Sequence, residues 1–415
     1  MTAPRSTGRA PTRLLIRDLA QVASPAAGAA PLRGSALGDI EVVEDAFVFC
    51  EGPSIASVGP MRELPPLDGD VLELDGRGLS AVPGLVDCHT HACFAGDRVD
   101  EFALRAAGAS YEELHAAGGG ILSTVAATRA AGEEGLRAAV RRHRDWMLRA
   151  GTTTFEAKSG YGLDRDTELA SLRAIAESDG VPTWLGAHAV PPEFEDADAY
   201  LDFALAEVLP VAASLAEAAD VFLERGAFDA RQAGRFLEAS AAAGLAPRLH
   251  GDQFSEHGAI PLAIELGARS VDHLESTGAE GISALADSDV VAVLLPASAL
   301  FLDRPMPPAR ALVQAGVGVA LATDFNPGSA YCESLAIVCS LACTQLRLSP
   351  GEALAACTVN AAHVLRRAET IGRLAPGYDA DILLLQAADW RHLAYHLGGD
   401  LVSAVVRKGV VAWSR

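Results

Sequence analysis

Between Leu79 and Asn326 the chain repeats one unit eight times: a short apolar segment, then a longer stretch that is often Ala-rich with apolar residues at helical spacing. The apolar segments are Leu79–His91, Thr152–Ser159, Pro182–Val190, Asp220–Arg225, Pro247–Gln253, Ser270–Glu275, Val290–Ala297 and Val317–Asn326. Amphipathic stretches such as Glu133–Arg149, Asp164–Glu177, Arg231–Ala243 and Met306–Gln314 lie between them. Near-continuous apolar runs joined through helices are strands of a parallel sheet covered on both faces. Eight such units predict an α/β fold, a (β/α)8 TIM-like barrel. A doubly wound open sheet would place a glycine-rich phosphate loop after its first strand. Neither candidate serves: Gly118-Gly119-Gly120 lacks that context, and Gly316-Val317-Gly318 enters a strand instead of leaving one. A length of 415 residues, half of them hydrophobic, suffices for a barrel with a small companion domain.

The flanks carry a different pattern. Residues 1–12 read as a disordered amino terminus. From Arg13 to residue 78 short β runs (Leu14–Ile16, Asp45–Phe49, Ile55–Gly59 and Val71–Leu74) alternate with Pro, Gly and Asp clusters. β patterning returns over Gly372–Leu385 and Leu401–Trp413, after a helix predicted over Ala353–Arg366 behind the capping signal Ser349-Pro350-Gly351-Glu352. Residues 13–78 and 376–415 are therefore expected to build one small β-sandwich from both chain ends, with 79–375 forming the barrel. Within the barrel, Glu101–Thr128 is an insertion on the catalytic face and a candidate lid, with a capping box at Ser110–Glu113.

Polar groups collect at the carboxyl ends of the predicted strands. His89 and His91 end the first, and their i, i+2 spacing points both imidazoles to one side of an extended chain. His188 ends the third strand, His250 the fifth, His273 the sixth and Asp324 the eighth. A barrel gathers all carboxyl ends at one mouth, so these groups converge without sequence proximity. Three neutral imidazoles and a carboxylate suit Zn²⁺ or Fe²⁺, whose chemistry is activation of water. A two-metal site bridged by a carboxylated lysine needs a lysine on a middle strand. The two lysines present, Lys158 and Lys408, are placed elsewhere, which favours a single metal.

The net charge of −21 argues against nucleic-acid and anionic-membrane partners. Seven scattered cysteines without a Cys-x-x-Cys predict reduced, buried thiols, with Cys88 directed away from the histidine pair into packing. Arg5, Arg9 and Arg13 precede no apolar signal segment. The longest apolar run, Val290–Leu302, is interrupted by Pro296 and too short to span a bilayer. A cytoplasmic location is expected. No Gly-x-Ser-x-Gly elbow supports a serine hydrolase.

Pro83-Gly-Leu-Val-Asp-Cys-His-Thr-His91, Thr323-Asp324, Gly377-Tyr-Asp-Ala-Asp-Ile382 and a late Val-x-x-Gly together resemble the amidohydrolase superfamily. Four further stretches resemble its imidazolonepropionase family: Gly118–Thr124, Lys158-Ser-Gly-Tyr-Gly-Leu163, Gly186-Ala-His-Ala189 and Thr323-Asp-Phe-Asn-Pro-Gly-Ser329. The resemblance runs from about residue 40 to the end. It implies one Zn²⁺ or Fe²⁺/Fe³⁺ ion per chain on His89, His91, His250 and Asp324. It also implies substrate contacts from Arg98, Tyr161, His188, Asn326, Gly328 and Ser329. The implied reaction is hydrolysis of the cyclic amide of 4-imidazolone-5-propanoate to N-formimidoyl-L-glutamate, in histidine degradation. A guanidinium is the natural bidentate partner for the propionate of that substrate. Catalytic roles fall to Asp324 as proton carrier and His273 as oxyanion donor. Gln253, where some members have Glu, is read as hydrogen-bonding the ring, because an amide does not titrate. Asp252 is read as structural. The alternative is a single-metal deaminase of a purine or pyrimidine; a catalytically inactive barrel would show an eroded ligand set. Partners reduce to a small-molecule substrate, and a homodimer is left open.

Overall fold

The computed structural model describes residues 13–108 and 120–415. Eight strands lie side by side in chain order, all parallel: β6 (Leu85–Asp87), β7 (Thr152–Lys158), β8 (Val181–Ala187), β9 (Ala218–Leu223), β10 (Ala246–Gly251), β11 (Ser270–His273), β12 (Val291–Leu294) and β13 (Val319–Leu321). The first and last strands meet just past their carboxyl ends. Asp324 N–H donates to His89 O at 3.1 Å, His91 N–H donates to Phe325 O at 2.9 Å, and Thr90 bridges Phe325. Closure of the barrel therefore passes through the segments that carry the predicted site. Helices cover the outside, and the segments between and around the strands pack into one large apolar core that includes Val86, Trp184, Leu249, Val271 and Val293.

A second sheet is built from both ends of the chain. Its order is β16 (Val410–Ser414), β15 (Val402–Arg407), β14 (Ile382–Leu385), β5 (Ser80–Pro83), β1 (Arg13–Pro25), β2 (Ile40–Glu51) and β3 (Ser54–Pro60), with β4 (Leu72–Asp75) also paired to β1. Alternation along its strands explains how it attaches. Val82, Leu383, Leu385 and Val405 join the barrel's core, while Ala81, Ile382, Leu384 and Val406 point the other way into a separate cluster with Leu14, Ile16 and Val48. Both faces are buried, so these strands read as continuous apolar runs.

Three expectations change. The strand predicted over Leu79–His91 divides at Gly84: Ser80–Pro83 pairs with β1 and β14, and only Leu85–Asp87 enters the barrel. A Cβ at Gly84 would stand 2.3 Å from Thr153 Oγ1, so glycine is what lets the chain cross between the sheets. Hence we propose the boundary between the two domains at Gly84, not after residue 78. The helix over Ala353–Arg366 is two helices, Pro350–Ala356 and Val359–Val364. Thr358 between them leaves helical geometry, and Cys357 O is taken by Val86 N–H at 2.9 Å. The helix predicted over Glu133–Arg149 is present; Gly132, non-helical at φ +63°, separates it from a preceding helical stretch that starts at Ile121. The capping box at Ser110–Glu113 lies outside the described residues. Among the described residues no helix is long and apolar enough to cross a membrane. The cysteines are free thiols, but Cys332 and Cys343 are half-buried where all seven were expected inside.

Candidate metal centre and active site

The extended segment after β6 holds His89 and His91 with both Nε2 atoms aimed at Asp324. The distances to Asp324 Oδ1 are 3.6 Å from His89 and 3.4 Å from His91. His250, at the end of β10, brings its Nε2 to 3.2 Å from that of His91. His273 ends β11, 5.4 Å from His250 between ring centres. Two overlapping groups can hold a cation: His89, His91 and Asp324, and His89, His250 and His273. His89 Nε2 is buried without a hydrogen-bond partner among the described residues. An orphaned imidazole nitrogen facing two others and a carboxylate fits a divalent metal.

Protonation agrees with that use. Burial, with the positive charge of Lys158 adding to it, holds His89 and His91 well below the ordinary imidazole range, so both are neutral as metal ligands must be. At His273 burial acts downward, but the Glu275 carboxylate 3.4 Å from Nδ1 outweighs it and holds this imidazole above its ordinary range. His273 is thus the imidazole suited to donate. His273 at φ +86° and Asp324 at φ +55° both sit in left-handed backbone, a strained conformation concentrated here at the barrel mouth.

Beneath the histidines lies a buried charge cluster that the sequence reading did not anticipate. His89 Nδ1 meets Asp272 Oδ2 at 2.5 Å, and His250 Nδ1 meets Asp220 Oδ1 at 3.0 Å. Carboxylates on the far nitrogens fix each ring's tautomer and direction. Lys158 Nζ stands 2.8 Å from Asp220 Oδ2 and 2.8 Å from Glu156 Oε1. Arg248 reaches Glu156 at 3.1 Å, Asp272 at 2.9 Å and Cys88 O at 2.8 Å. The signal was present: ionisable residues occupy alternating interior positions of strands that otherwise read as apolar. Register then levels them, with Arg248 opposite Asp220 and His250 opposite Asp272.

Above the histidines opens a cavity of about 620 Å³ lined by His91, Arg98, Tyr161, His188, Gln253, His273, Asp324, Asn326, Gly328 and Ser329. The structure thus brings every predicted site residue to one cavity except His89, which lies fully buried below it. A second cleft of about 580 Å³ beside Trp146 holds none of the strand-end histidines. Tyr161 sits on the loop after β7, and burial pushes its hydroxyl up, keeping it protonated. That loop is organised by another acid that was missed. Glu168 Oε1 accepts from the backbone N–H groups of Gly160 (2.9 Å), Gly162 (2.8 Å) and Leu163 (3.0 Å). Gly160 O in turn pairs with His188 Nδ1 at 2.9 Å. A Cβ at Gly162 would come within 2.7 Å of Glu168 N, which accounts for glycine there. On the opposite wall Asn326 spends both ends of its amide within its own turn. Its Nδ2 donates to Asp324 O (2.6 Å) and Ser329 Oγ (2.7 Å), and its Oδ1 accepts from Gly328 N–H (2.8 Å) and Ser329 N–H (2.7 Å). Asp252 lies on the other side of β10's end, accepting from Thr277 Oγ1 at 2.9 Å.

Comparison with known proteins places the chain in a family. The sequence model of the amidohydrolase family matches residues 80–412. The imidazolonepropionase of Rubrobacter xylanophilus is 62% identical over 408 residues, covering 96% of this chain and 98% of that one. The imidazolonepropionase of Chloroflexus aggregans is 47% identical over 421 residues, covering 97% and 98%. Among solved structures, guanine deaminase from E. coli shares the fold at a TM-score of 0.73, with 15% identity over 98% of this chain and all of that one. The chain belongs to the amidohydrolase family and, within it, to the imidazolonepropionase family.

Proposed function

We propose that the protein hydrolyses the cyclic amide C–N bond of 4-imidazolone-5-propanoate, giving N-formimidoyl-L-glutamate. The observation that carries this reading is the single cavity in which an imidazole–carboxylate cluster faces a guanidinium. The imidazolonepropionase of Rubrobacter xylanophilus, 62% identical over nearly the full length, supports it. His89, His91, His250 and Asp324 would hold one Zn²⁺ or iron ion per chain. When bound, such an ion supplies a Lewis acid that polarises a carbonyl and lowers the pKa of water.

The chain's own residues do the rest. Arg98 binds the propionate carboxylate, and Tyr161 and His188 bear on the ring. His273, held above its ordinary pKa by Glu275, donates a hydrogen bond to the oxygen that gains charge as the ring carbonyl is attacked. Asp324 takes the proton from the attacking water and returns it to the leaving ring nitrogen. Gln253 hydrogen-bonds the ring without exchanging protons. Water is added across the C–N bond, and no ammonia is released. A deaminase of a purine or pyrimidine would release ammonia and has no use for Arg98 at the cavity wall. Residence in the cytoplasm is part of this reading, and the acidic composition fits it.

Freshly generated imidazolone propionate, followed by its ring absorbance beside metal analysis of the same sample, tests this. Ring opening with about one metal per chain is expected. Bound metal with no ring opening, and ammonia release from a nucleobase, would replace the reading with the deaminase.

A further inference from the structure

Arg98 stands at the start of the helix Val99–Ala106, at the cavity wall. A guanidinium offers a carboxylate two gripping edges: the side, through Nε and one Nη, and the end, through Nη1 and Nη2. Glu101, one turn along the same helix, takes the side. Arg98 Nε donates to Glu101 Oε2 at 2.8 Å, and Arg98 Nη2 donates to Glu101 Oε1. Glu101 Oε2 also accepts the Gly120 N–H at 2.8 Å, which ties the pair to the start of the helix Ile121–Arg149. The side chains are only 17% and 12% exposed, so this is a sheltered bidentate pair, unlike the loose surface pairs that contribute little. Burial acts to raise the Glu101 carboxyl, but the Arg98 and Gly120 donors outweigh it and keep it ionised.

Gly328 bounds the other edge. A Cβ there would lie 2.1 Å from Arg98 Nη1 and 3.5 Å from Asn326 Oδ1, so a side chain at this position would push the end of the fork off this turn. Arg98, Glu101 and Gly328 all line the same cavity. We propose that Glu101 is a positioning residue: it grips the side of Arg98 and turns the Nη1/Nη2 end, over Gly328, toward the carboxylate of the substrate. The proposal rests on the reading of Arg98 as the propionate receptor. A long side chain already ordered before binding loses less freedom on binding, so the gain appears in substrate affinity and not in the chemical step.

A double-mutant cycle in metal-loaded protein tests it, using Glu101→Gln, Arg98→Gln and the double variant, with Gly328→Ala as an independent route to the same fork. kcat and KM are measured for imidazolone propionate, and inhibition by an imidazolone without the propionate arm is measured alongside. Glu101→Gln is expected to raise KM about tenfold with kcat nearly unchanged. It should leave binding of the armless ring as it was and add nothing in the Arg98→Gln background. Gly328→Ala should raise KM in the same selective way. If Arg98→Gln raises KM but Glu101→Gln leaves it unchanged or lowers it, the positioning role is overturned and the receptor reading stands. If Arg98→Gln leaves KM unchanged, the receptor reading fails and the proposal falls with it. Should Glu101→Gln not fold, an unchanged KM in Gly328→Ala overturns the positioning role.

Discussion

Replacing Lys158 by Met probes the ground on which the metal centre stands. Lys158 is fully buried, 2.8 Å from Glu156 and Asp220 and 3.9 Å from Asp272. Burial and the Arg248 charge oppose its protonation, yet the three carboxylates outweigh them and hold its pKa above the ordinary lysine value. Lys158 and Arg248 set two cations against three carboxylates, one net negative charge beneath the histidines. Lys158→Met keeps most of the volume but removes Asp220's cation, while Glu156 retains Arg248. Breaking one partner out of a buried ion pair costs roughly 3–5 kcal/mol, because the remaining charge stays desolvated. The expected loss of stability of the metal-free protein falls in that range, read by urea unfolding followed by far-UV circular dichroism. A second effect follows from geometry: Asp220 orients the His250 ring, so loosening it should weaken metal retention by about tenfold in a chelator competition. A metal-free loss under about 1 kcal/mol, with an unchanged chelator curve, would refute the cluster as the support of the site.

Other perturbations read neighbouring parts of the account. Glu168→Ala should orphan several buried N–H groups of the Gly160–Leu163 loop and cost on the order of 3 kcal/mol, while raising KM through Tyr161 and His188. Glu168→Gln, which keeps one acceptor oxygen, should restore most of both; equal damage from the two variants would contradict the cage. His143 is buried against Phe94, with Nδ1 2.8 Å from Ala92 O, and burial pushes its pKa down to about 4. A depressed imidazole stabilises the fold fully above about pH 6.5, and that contribution is lost as pH falls toward 4; at about 1.4 kcal/mol per unit it amounts to roughly 3 kcal/mol. His143→Asn, which does not titrate, should therefore close its gap to the parent as urea midpoints are followed down that window. A gap constant from pH 7 to 4 would show that His143 does not titrate there.

Particular residues show what the sequence could and could not reveal. The eightfold alternation is a local signal repeated along the chain, and the barrel follows from it directly. The strand-end histidines and Asp324 were legible because barrel topology, once inferred, specifies that all carboxyl ends meet. Lys158 was judged only as a bridging ligand and set aside. Its part as a counter-ion depends on Asp220 and Asp272, two and four strands away around the barrel, and no local pattern reports that. Glu101 and Glu168 look like ordinary solvated acids on helices; only the folded loops show one against Arg98 and the other inside a ring of backbone N–H groups. The run Leu79–His91 misled because a strand in either sheet is apolar on both faces. What divides it is the close approach of Thr153 to Gly84, which exists only after folding.

The measurement that bears most directly on the mechanism is turnover of imidazolone propionate by Asp324→Asn protein whose metal content has been shown to match the parent. Asparagine preserves shape and one acceptor oxygen but cannot carry a proton. Ring opening is expected to be abolished while metal is retained. Near-normal turnover in that metal-replete variant would contradict Asp324 as the group that moves the proton.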